Sequence, residues 1–263
     1  MGMLRAALQN YLLTRGVYTS RVADDRLVRQ LIARLRPMQT GKPLVRLGGE
    51  GDGGYLVPDD LDGIRACFSP GVSTVATFEA DLADRGINCF LADYSVDVAP
   101  VNSPLIHFEK KFLGSRNDDV HIRLEDWINR NVCCKSDLLL QMDIEGSEYE
   151  VLLDTPDEVV NRFRIMVIEF HHLHALFDQL GLLLISFALQ KVLNNFVVVH
   201  IHPNNGWRTR KRHELEIPPV MEFTFLRRDR AFSSQPATQF PHPLDRTNDT
   251  SVPEIVLPSS WHV

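Results

Sequence analysis

From residue 64 to residue 227 the sequence alternates short apolar runs with helical segments, and this alternation restricts the fold more than any other feature. We expect strands over residues 64–68, 88–92, 105–108, 137–142, 163–170, 196–201 and 220–227, and helices over 74–85, 124–129, 147–153 and 173–193. Apolar strands that alternate with helices form a mostly parallel sheet covered on both faces. The predicted fold class is therefore α/β, with a doubly wound, mostly parallel sheet.

The rest of the chain flanks this sheet domain. Residues 3–36 have helical periodicity, which predicts an N-terminal helical extension over residues 1–40 before a main domain over residues 41–230. Residues 231–263 are rich in Pro, Ser and Thr. We expect this tail to pack on its own domain or on a partner subunit, and we therefore expect a homodimer.

Composition limits the class of partner and the compartment. The chain has 28 basic and 34 acidic residues, a net charge of −6, which argues against a dedicated nucleic-acid binder. Cys67 and Cys89 lie in apolar runs and read as core thiols, and the neighbours Cys133 and Cys134 are poorly placed to form a disulfide with each other. We find no signal peptide, and polar residues interrupt the apolar stretch 180–199, so we predict a cytoplasmic protein with no membrane partner.

Acidic and histidine side chains follow several predicted strands. Asp93, Asp143, Glu169 and His202 each stand where a strand ends. In doubly wound sheets ligands bind beyond the carboxyl ends of the strands, so we expect a site there. The chain has neither the G-x-G-x-x-G pattern nor a phosphate-binding P-loop, which weakens a nicotinamide or nucleoside-triphosphate interpretation. S-adenosylmethionine (SAM) is the other ligand that uses this arrangement of strand, glycine turn, helix, strand and acid.

The segment from Met142 to Leu152, MDIEGSEYEVL, resembles the D-x-E-G-x-E-x-x-x-L signature of the FkbM family of SAM-dependent methyltransferases. The resemblance extends over roughly residues 44–228 and includes the glycine-rich stretch 48–55 and the stretch HIHPNN from His200. It implies a Rossmann-like class I methyltransferase fold and methyl transfer to an oxygen, commonly on sugars. An oligosaccharide or polysaccharide precursor, such as a mannoside, is the acceptor that the resemblance suggests.

The cofactor residues follow from position and resemblance together. Asp93 is placed to accept both ribose hydroxyls, although an aspartate that caps the next turn looks the same in sequence. Gly71 lets the backbone approach the cofactor, with Ser69 or Ser73 as hydrogen-bonding partners. The turn lacks the acidic-x-Gly-x-Gly pattern of many methyltransferases, so Glu79 or the Asp52 loop would replace that acid. The loop residues assigned to the methionine end or the acceptor are Asp52, Gly53, Gly54 and Tyr55, unless this loop is only a hairpin tip.

Asp143 lies where class I methyltransferases place a residue near the transferred methyl group, and it is therefore both a cofactor and a catalytic candidate. Asp143 and Glu169, with His200 as a third ligand, predict a Mg²⁺ site that would lower the pKa of an acceptor hydroxyl. The alternative is a structural carboxylate that caps a helix or pairs with an arginine. His171 or His202 is the expected general base, because a sugar hydroxyl must lose its proton during transfer.

The acceptor would lie beside these groups. Candidate contacts are Glu145, His200, Asn204, Asn205 and Trp207, and the basic run Trp207–Arg212 reads either as a solvated loop or as a surface for an anionic or polyhydroxylated acceptor. Two other functions remain open. The first is a non-catalytic SAM-binding protein that keeps the fold, and the second is an RNA methyltransferase that uses the basic run.

Overall fold

The computed structural model describes residues 2–133, 135–233 and 235–262. Within these ranges lie seven α-helices: α1 Gly2–Thr14, α2 Asp25–Arg34, α3 Thr77–Asp84, α4 Leu124–Asn131, α5 Glu148–Asp154, α6 Asp157–Val160 and α7 Gln179–Leu193. Short 3-10 helices cover Leu173–Phe177, Arg228–Arg230 and Ser259–Trp261. Among the helices of these described ranges, none combines the length and the apolar character needed to cross a bilayer.

The same described ranges contain thirteen strands. They are β1 Leu44–Leu47, β2 Tyr55–Pro58, β3 Ala66–Pro70, β4 Asn88–Ala92, β5 Ile106–Glu109, β6 Phe112–Gly114, β7 His121–Arg123, β8 Leu138–Met142, β9 Phe163–Phe170, β10 Phe196–Pro203, β11 Arg210–Arg212, β12 Leu215–Ile217 and β13 Met221–Arg227. The seven strands expected from the alternation of the sequence are all present, within a few residues of the predicted bounds.

Seven strands form the central sheet in the order β10-β13-β9-β8-β3-β4-β5. The pairs from β9 to β5 are parallel, whereas β13 runs antiparallel to both β9 and β10. This arrangement confirms the predicted doubly wound, mostly parallel sheet. The strand order reverses between β3 and β8, so the ligand crevice of such a sheet is expected where these two strands end.

Both faces of the sheet are buried, as a doubly wound sheet requires. Alternate residues of β3 and β8 enter two different cores: Phe68 and Leu140 pack on one face, and Cys67 and Leu139 pack on the other. All eight residues of β9 are buried, which agrees with its central position. Cys67 and Cys89 are buried free thiols, as predicted, and Cys134 lies outside the described residues.

The structure differs from the predicted helix 173–193 and from the predicted loop at the basic run. The helix is divided because the Asp178 side chain accepts hydrogen bonds from the backbone N–H groups of Leu180 and Gly181, each at 2.9 Å, and so starts a new helix. The basic run is not wholly a solvated loop, because β11 pairs with β12 in a short hairpin. Its Arg212 packs over the ring of Phe177 at 5.0 Å from the centroid.

The glycine-rich stretch is the connection of an antiparallel hairpin between β1 and β2, so the hairpin tip named as the alternative to a binding loop is present in the structure. Gly48 has a φ of 85°, and a Cβ there would lie 2.6 Å from the carbonyl oxygen of Gly53. The Gly48 N–H donates to Asp81 Oδ2 at 2.7 Å, and the Gly49 N–H donates to Thr77 Oγ1 at 2.9 Å. These bonds hold the loop against α3, beside the end of β3.

Candidate active site

A cavity of about 600 Å³ opens at the carboxyl ends of the strands, where the strand order reverses. Its lining contains six residues predicted from the sequence for the cofactor or the acceptor: Asp52, Gly71, Ser73, Asp93, Asp143 and Glu145. They come from the β1–β2 loop and from the turns after β3, β4 and β8. The opposite wall comes from the β6–β7 arm, with Phe112, Leu113, Gly114, Arg116 and His121. The sequence analysis assigned no role to this arm.

Gly71 and Asp143 bring the turns after β3 and β8 into backbone contact. Gly71 has a φ of 84°, and a Cβ built there would lie only 1.5 Å from the carbonyl oxygen of Asp143. The Asp143 N–H in turn donates to the Pro70 carbonyl at 3.3 Å. Only glycine therefore fits at position 71, because any side chain would force the two turns apart.

Asp93 fixes the two loops that border the cofactor side of the cavity. Its Oδ2 accepts the Ser73 N–H at 2.8 Å, and its Oδ1 accepts both the N–H and the hydroxyl of Ser95 at 2.7 Å. The capping alternative for Asp93 is thus present in the structure. The same backbone donors fix the orientation of the Asp93 carboxylate at the cavity wall, which is compatible with a ribose contact. That contact stays a prediction.

Ser69, Glu79 and Tyr55 do not line the cavity but are buried between the sheet and its neighbours. The Ser69 hydroxyl contacts the Glu79 carboxyl and also lies 2.6 Å from Gln141 Oε1, while Gln141 Nε2 donates to the Tyr55 hydroxyl at 3.2 Å. Burial raises the pKa of Glu79 to about 7, although the Ser69 hydrogen bond opposes this rise. The structure therefore places these three candidates in an internal network that supports the strand ends.

Asp143, Glu145 and His171 meet at the edge of the cavity. Their ligand atoms lie within 4.8 Å of one another, close enough to hold a metal ion. His171 Nε2 is 3.4 Å from Glu145 Oε2 and 3.9 Å from Asp143 Oδ1. In the described ranges, Asp143 Oδ1 is a buried oxygen without a hydrogen-bond partner. Glu145 has a φ of 55°, a strained conformation for a residue with a side chain and one that is common at functional sites.

Glu148 holds this group in place through hydrogen bonds. Its side chain is fully buried, and its Oε1 accepts the Gly146 N–H at 3.0 Å, the Ile144 N–H at 3.3 Å and the His171 ring through Nδ1 at 3.1 Å. The Tyr149 hydroxyl donates to the His171 carbonyl at 2.7 Å. Burial acts to lower the pKa of His171, but the Glu148 carboxylate outweighs it and the pKa is raised. The His171 ring is therefore held with Nε2 toward Asp143 and Glu145.

Burial dominates the electrostatics of the neighbouring carboxyl groups. It raises the pKa of Asp143 to about 9, with the nearby Glu169 carboxyl adding to the effect. It raises the pKa of Glu169 to about 8, with Glu222 adding to the effect. Glu169 Oε1 accepts a hydrogen bond from Asn204 Nδ2 at 2.8 Å. A nearby cation would favour the ionised forms of these buried carboxyl groups.

The predicted metal set Asp143, Glu169 and His200 is brought together only in part: Glu169 lies near Asp143, whereas His200 does not join them. In the described part of the chain, the group whose ligand atoms are close enough to hold a metal ion is Asp143, Glu145 and His171, and the two histidines of β10 face a different partner. That partner is Asp245 of the C-terminal tail, whose carboxylate oxygens lie 2.8 Å from His200 Nε2 and 3.7 Å from His202 Nδ1. Burial acts to lower the pKa of His202, but Asp245 outweighs it and raises the pKa to about 9.

The C-terminal tail lies across this edge of its own domain. Asn248 Nδ2 donates to Glu222 Oε1 at 2.7 Å and reaches Asp52 Oδ1 at 3.4 Å. Asn205 Nδ2 donates to the Asp249 carbonyl at 2.8 Å, and Trp261 is fully buried. Asn205 therefore anchors the tail and does not face the cavity, whereas Trp207 is 53% exposed on the turn before β11.

Sequence reasoning did not assign Glu148, Asp245 or Glu222 to the site. Glu148 is the second glutamate of the D-x-E-G-x-E segment, so its signal was present in the motif itself. Glu222 lies opposite Glu169 in the β9–β13 register, and His202 lies opposite Glu222. Only the strand pairing, which the sequence does not give, places these three groups side by side.

Comparisons with known proteins agree with this geometry. A family model described as the methyltransferase FkbM domain matches residues 101–214, which contain β8, β9 and the acid-rich turn between β8 and α5. No curated protein matches the sequence.

Among solved structures, a fibrillarin/Nop5p complex aligns with 13% identity and a TM-score of 0.37, over 64% of this chain and 74% of that chain. TrmN from Thermus thermophilus aligns with 10% identity and a TM-score of 0.31, over 63% of this chain and 44% of that one. A mutant of the 16S rRNA (adenine(1408)-N(1))-methyltransferase from Catenulisporales acidiphilia aligns with 11% identity and a TM-score of 0.30, over 74% and 99%. Likeness at this level carries no argument about function. The family match, in contrast, confirms the predicted resemblance of this chain to the FkbM family of SAM-dependent methyltransferases.

Proposed function

We propose that this protein is a SAM-dependent O-methyltransferase that acts on a hydroxyl of a carbohydrate. The observation that carries the proposal is the group Asp143, Glu145 and His171 at the edge of the switch-point cavity. Two features of the cavity fit SAM: the close turn at Gly71 that only glycine permits, and the unpartnered buried oxygen of Asp143. Gly71, Ser73, Asp93 and Asp143 are the residues that would hold the cofactor.

When bound, SAM supplies an electrophilic methyl group on a positively charged sulfur. The protein must then supply a site that orients a hydroxyl and takes its proton. His171 suits this role, because Glu148 holds its Nδ1 and leaves Nε2 facing the cavity edge. Asp143 and Glu145 beside Nε2 stabilise the imidazolium that forms, in the way a carboxylate supports the histidine of an acid–base pair.

Asp143, Glu145 and His171 are, as an alternative arrangement, the residues that would hold Mg²⁺; His171 Nε2 would then be a metal ligand and would not take the proton itself. A divalent ion there would lower the pKa of the acceptor hydroxyl and would favour the ionised form of Asp143, whose pKa burial raises to about 9. The carbohydrate acceptor is supported by the resemblance and by Asn204, a polar group that donates to Glu169. The exposed ring of Trp207 offers an aromatic surface for stacking on a sugar. The RNA alternative draws no support from the net charge of −6.

The experiment is methyl transfer from radiolabelled SAM to a panel of mannosides and other glycosides, with Mg²⁺ and with EDTA. We expect a methylated ether product, and we expect His171→Asn to reduce the rate at least a hundredfold. The matched control is His213→Asn, because His213 is an exposed histidine on the turn between β11 and β12. Transfer to a nitrogen acceptor, or full activity in His171→Asn, would contradict the proposal.

The oligomeric state and the cellular compartment of the protein are separate proposals. Leu183, Leu184 and Phe187 on α7 are each about half exposed, which supports a homodimer through this helix more than through the tail. Light scattering of wild type and Phe187→Glu tests it: a dimer that becomes monomeric supports the proposal, and a monomeric wild type removes it. The free thiols Cys67, Cys89 and Cys133 support a cytoplasmic setting.

A further inference from the structure

The loop between β1 and β2 lies between the turn before α3 and the C-terminal tail. On the α3 side, a Cβ at Gly53 would lie 3.0 Å from Val75 Cγ1. On the other side, a Cβ at Gly51 would lie 3.8 Å from the carbonyl oxygen of Thr247 and 3.9 Å from that of Asn248. The backbone of the tail is therefore in direct contact with the loop.

Two side chains of the tail hold the acidic groups of this loop. Arg246 Nε donates to the Glu50 carboxylate, and Asn248 Nδ2 lies 3.4 Å from Asp52 Oδ1. The same Nδ2 group donates to Glu222 Oε1 of β13 at 2.7 Å, and Glu222 is buried. Because an amide nitrogen carries two N–H donors, it can serve both carboxylates. Asn248 therefore links the loop to the central sheet.

The part of the tail that carries these two side chains is itself fixed. Before it, an oxygen of the Asp245 carboxylate lies 2.8 Å from His200 Nε2. After it, the Asp249 N–H donates to Asn205 Oδ1 at 2.9 Å, and the Asp249 carbonyl accepts from Asn205 Nδ2 at 2.8 Å. A side chain on a backbone that is held at both ends has less freedom to lose when it orders its partner.

Asp52 and Asp93 line the same cavity from opposite sides of the strand-order reversal. Asp93 follows β4, whereas the hairpin that carries Asp52 packs on β9 and β13, where the Thr224 hydroxyl donates to the Leu56 carbonyl at 2.7 Å. A SAM molecule with its ribose at Asp93 would therefore extend its methionine end toward Asp52. That end carries an ammonium group, for which a carboxylate is a strong hydrogen-bond acceptor.

We propose that Asn248 of the C-terminal tail is a positioning residue for the cofactor, and that it holds the Asp52 carboxylate where this group binds the methionine ammonium. This inference rests on the proposed function, because it requires the cavity to hold SAM. The lining residues of the cavity in the described ranges come from other parts of the chain, so the tail acts on the cofactor only through the loop.

The test is calorimetric titration of the full chain, in buffer with EDTA, with two probes that share the adenosine and the sulfur. S-adenosylhomocysteine carries the amino-acid end, whereas 5′-methylthioadenosine has a methyl group in its place. Asn248→Ala and Asp52→Asn should each weaken binding of S-adenosylhomocysteine about tenfold, because a charge-assisted hydrogen bond is misaligned or lost. Binding of 5′-methylthioadenosine should change less than twofold, which also shows that the cavity of each variant is folded.

Asp249→Ala is the matched control, since Asp249 is the next residue of the tail and its side chain accepts the Ser251 N–H at 2.8 Å within the tail. It should change the affinity for either probe less than twofold. The double variant Asp52→Asn/Asn248→Ala should bind S-adenosylhomocysteine within about twofold of Asp52→Asn alone, because a positioning residue acts through its partner.

The role of the tail would be overturned by an Asn248→Ala variant that loses affinity for both probes equally or for neither, or by additive losses in the double variant. The assignment of Asp52 would be overturned by an Asp52→Asn variant without a selective loss, or by equal affinity of the wild type for the two probes. The two proposals fail separately. If the wild type binds neither probe, the methyltransferase function fails; if it binds both, any of the former results removes only this inference.

Discussion

Replacement of Glu148 by glutamine should destabilise the protein in a manner that depends on pH. Glu148 is fully buried and accepts from the Ile144 and Gly146 N–H groups and from the His171 ring. Hydrogen bonds to a charged acceptor stabilise a protein by about 1 kcal/mol more than neutral ones, so loss of the charge over these contacts should cost about 2–3 kcal/mol at pH 6.

The sign of the pH dependence follows from His171. Glu148 raises the folded-state pKa of this histidine, so its contribution to stability is fully present below the unfolded value of about 6.5 and is lost as pH rises through the raised pKa. The difference between wild type and Glu148→Gln should therefore be larger at pH 6 than at pH 9, because the contribution of the charged ring fades as pH rises through the raised pKa.

Urea denaturation at pH 6 and pH 9 measures this difference, with Glu150→Gln as the control. Glu150 is an exposed glutamate on the same helix, and its replacement should change the free energy of unfolding by less than about 0.5 kcal/mol at either pH. A Glu148→Gln effect that is equal at the two pH values would refute the reasoning, because the ion pair with His171 would then contribute nothing.

Three further perturbations test other parts of the structure. Gly71→Ala should weaken S-adenosylhomocysteine binding at least tenfold in calorimetry, because its Cβ would overlap the Asp143 carbonyl; unchanged affinity would show that the turn adapts. Asp60→Asn should cost about 3–5 kcal/mol at pH 7, because Asp60 is a buried carboxylate; its partners are Lys42, Arg164 and Arg230. Burial acts to raise the pKa of Asp60, but those partners outweigh it and lower the pKa. The loss of unfolding free energy in Asp60→Asn, measured with urea, should therefore shrink as pH falls below about 4. A loss that stays constant with pH would contradict the pairing. Asp245→Asn should make the tail sensitive to limited proteolysis at pH 7. The difference from wild type should fade above pH 9, because His202, with its raised pKa of about 9, then loses its charge. Resistance of the variant at pH 7 would contradict this role for Asp245.

The sequence predicted the sheet well and the site less completely, for a physical reason. Apolar runs must be buried, and Gly71 and Asp143 stand at strand ends that the fold brings to one edge, so periodicity and the resemblance together located them. Which histidine faces the cavity depends on the pairing of β9, β13 and β10, and periodicity does not give that order. His202 therefore had the same weight as His171 in the sequence, although it pairs with a tail residue more than 40 positions away.

The sequence also could not separate acidic residues that bind a cofactor from acidic residues that serve a structural role. Asp93 caps the turns at Ser73 and Ser95, as a structural aspartate does, and it still lines the cavity. Glu79 has the acidic character expected for a cofactor ligand, but it is turned into the interior against Ser69. A single sequence contains the residue types but not the direction of each side chain, so these two acids could be separated only by the structure.

The most direct measurement of the central claim is calorimetric titration of S-adenosylhomocysteine into the wild-type protein, with Mg²⁺ and with EDTA, beside Asp143→Asn. We predict one binding site per chain, with weaker binding in Asp143→Asn and with a Mg²⁺ effect that disappears in that variant. No binding to the wild type under either condition would contradict the account, because the cavity at the ends of β3 and β8 would then serve a different ligand.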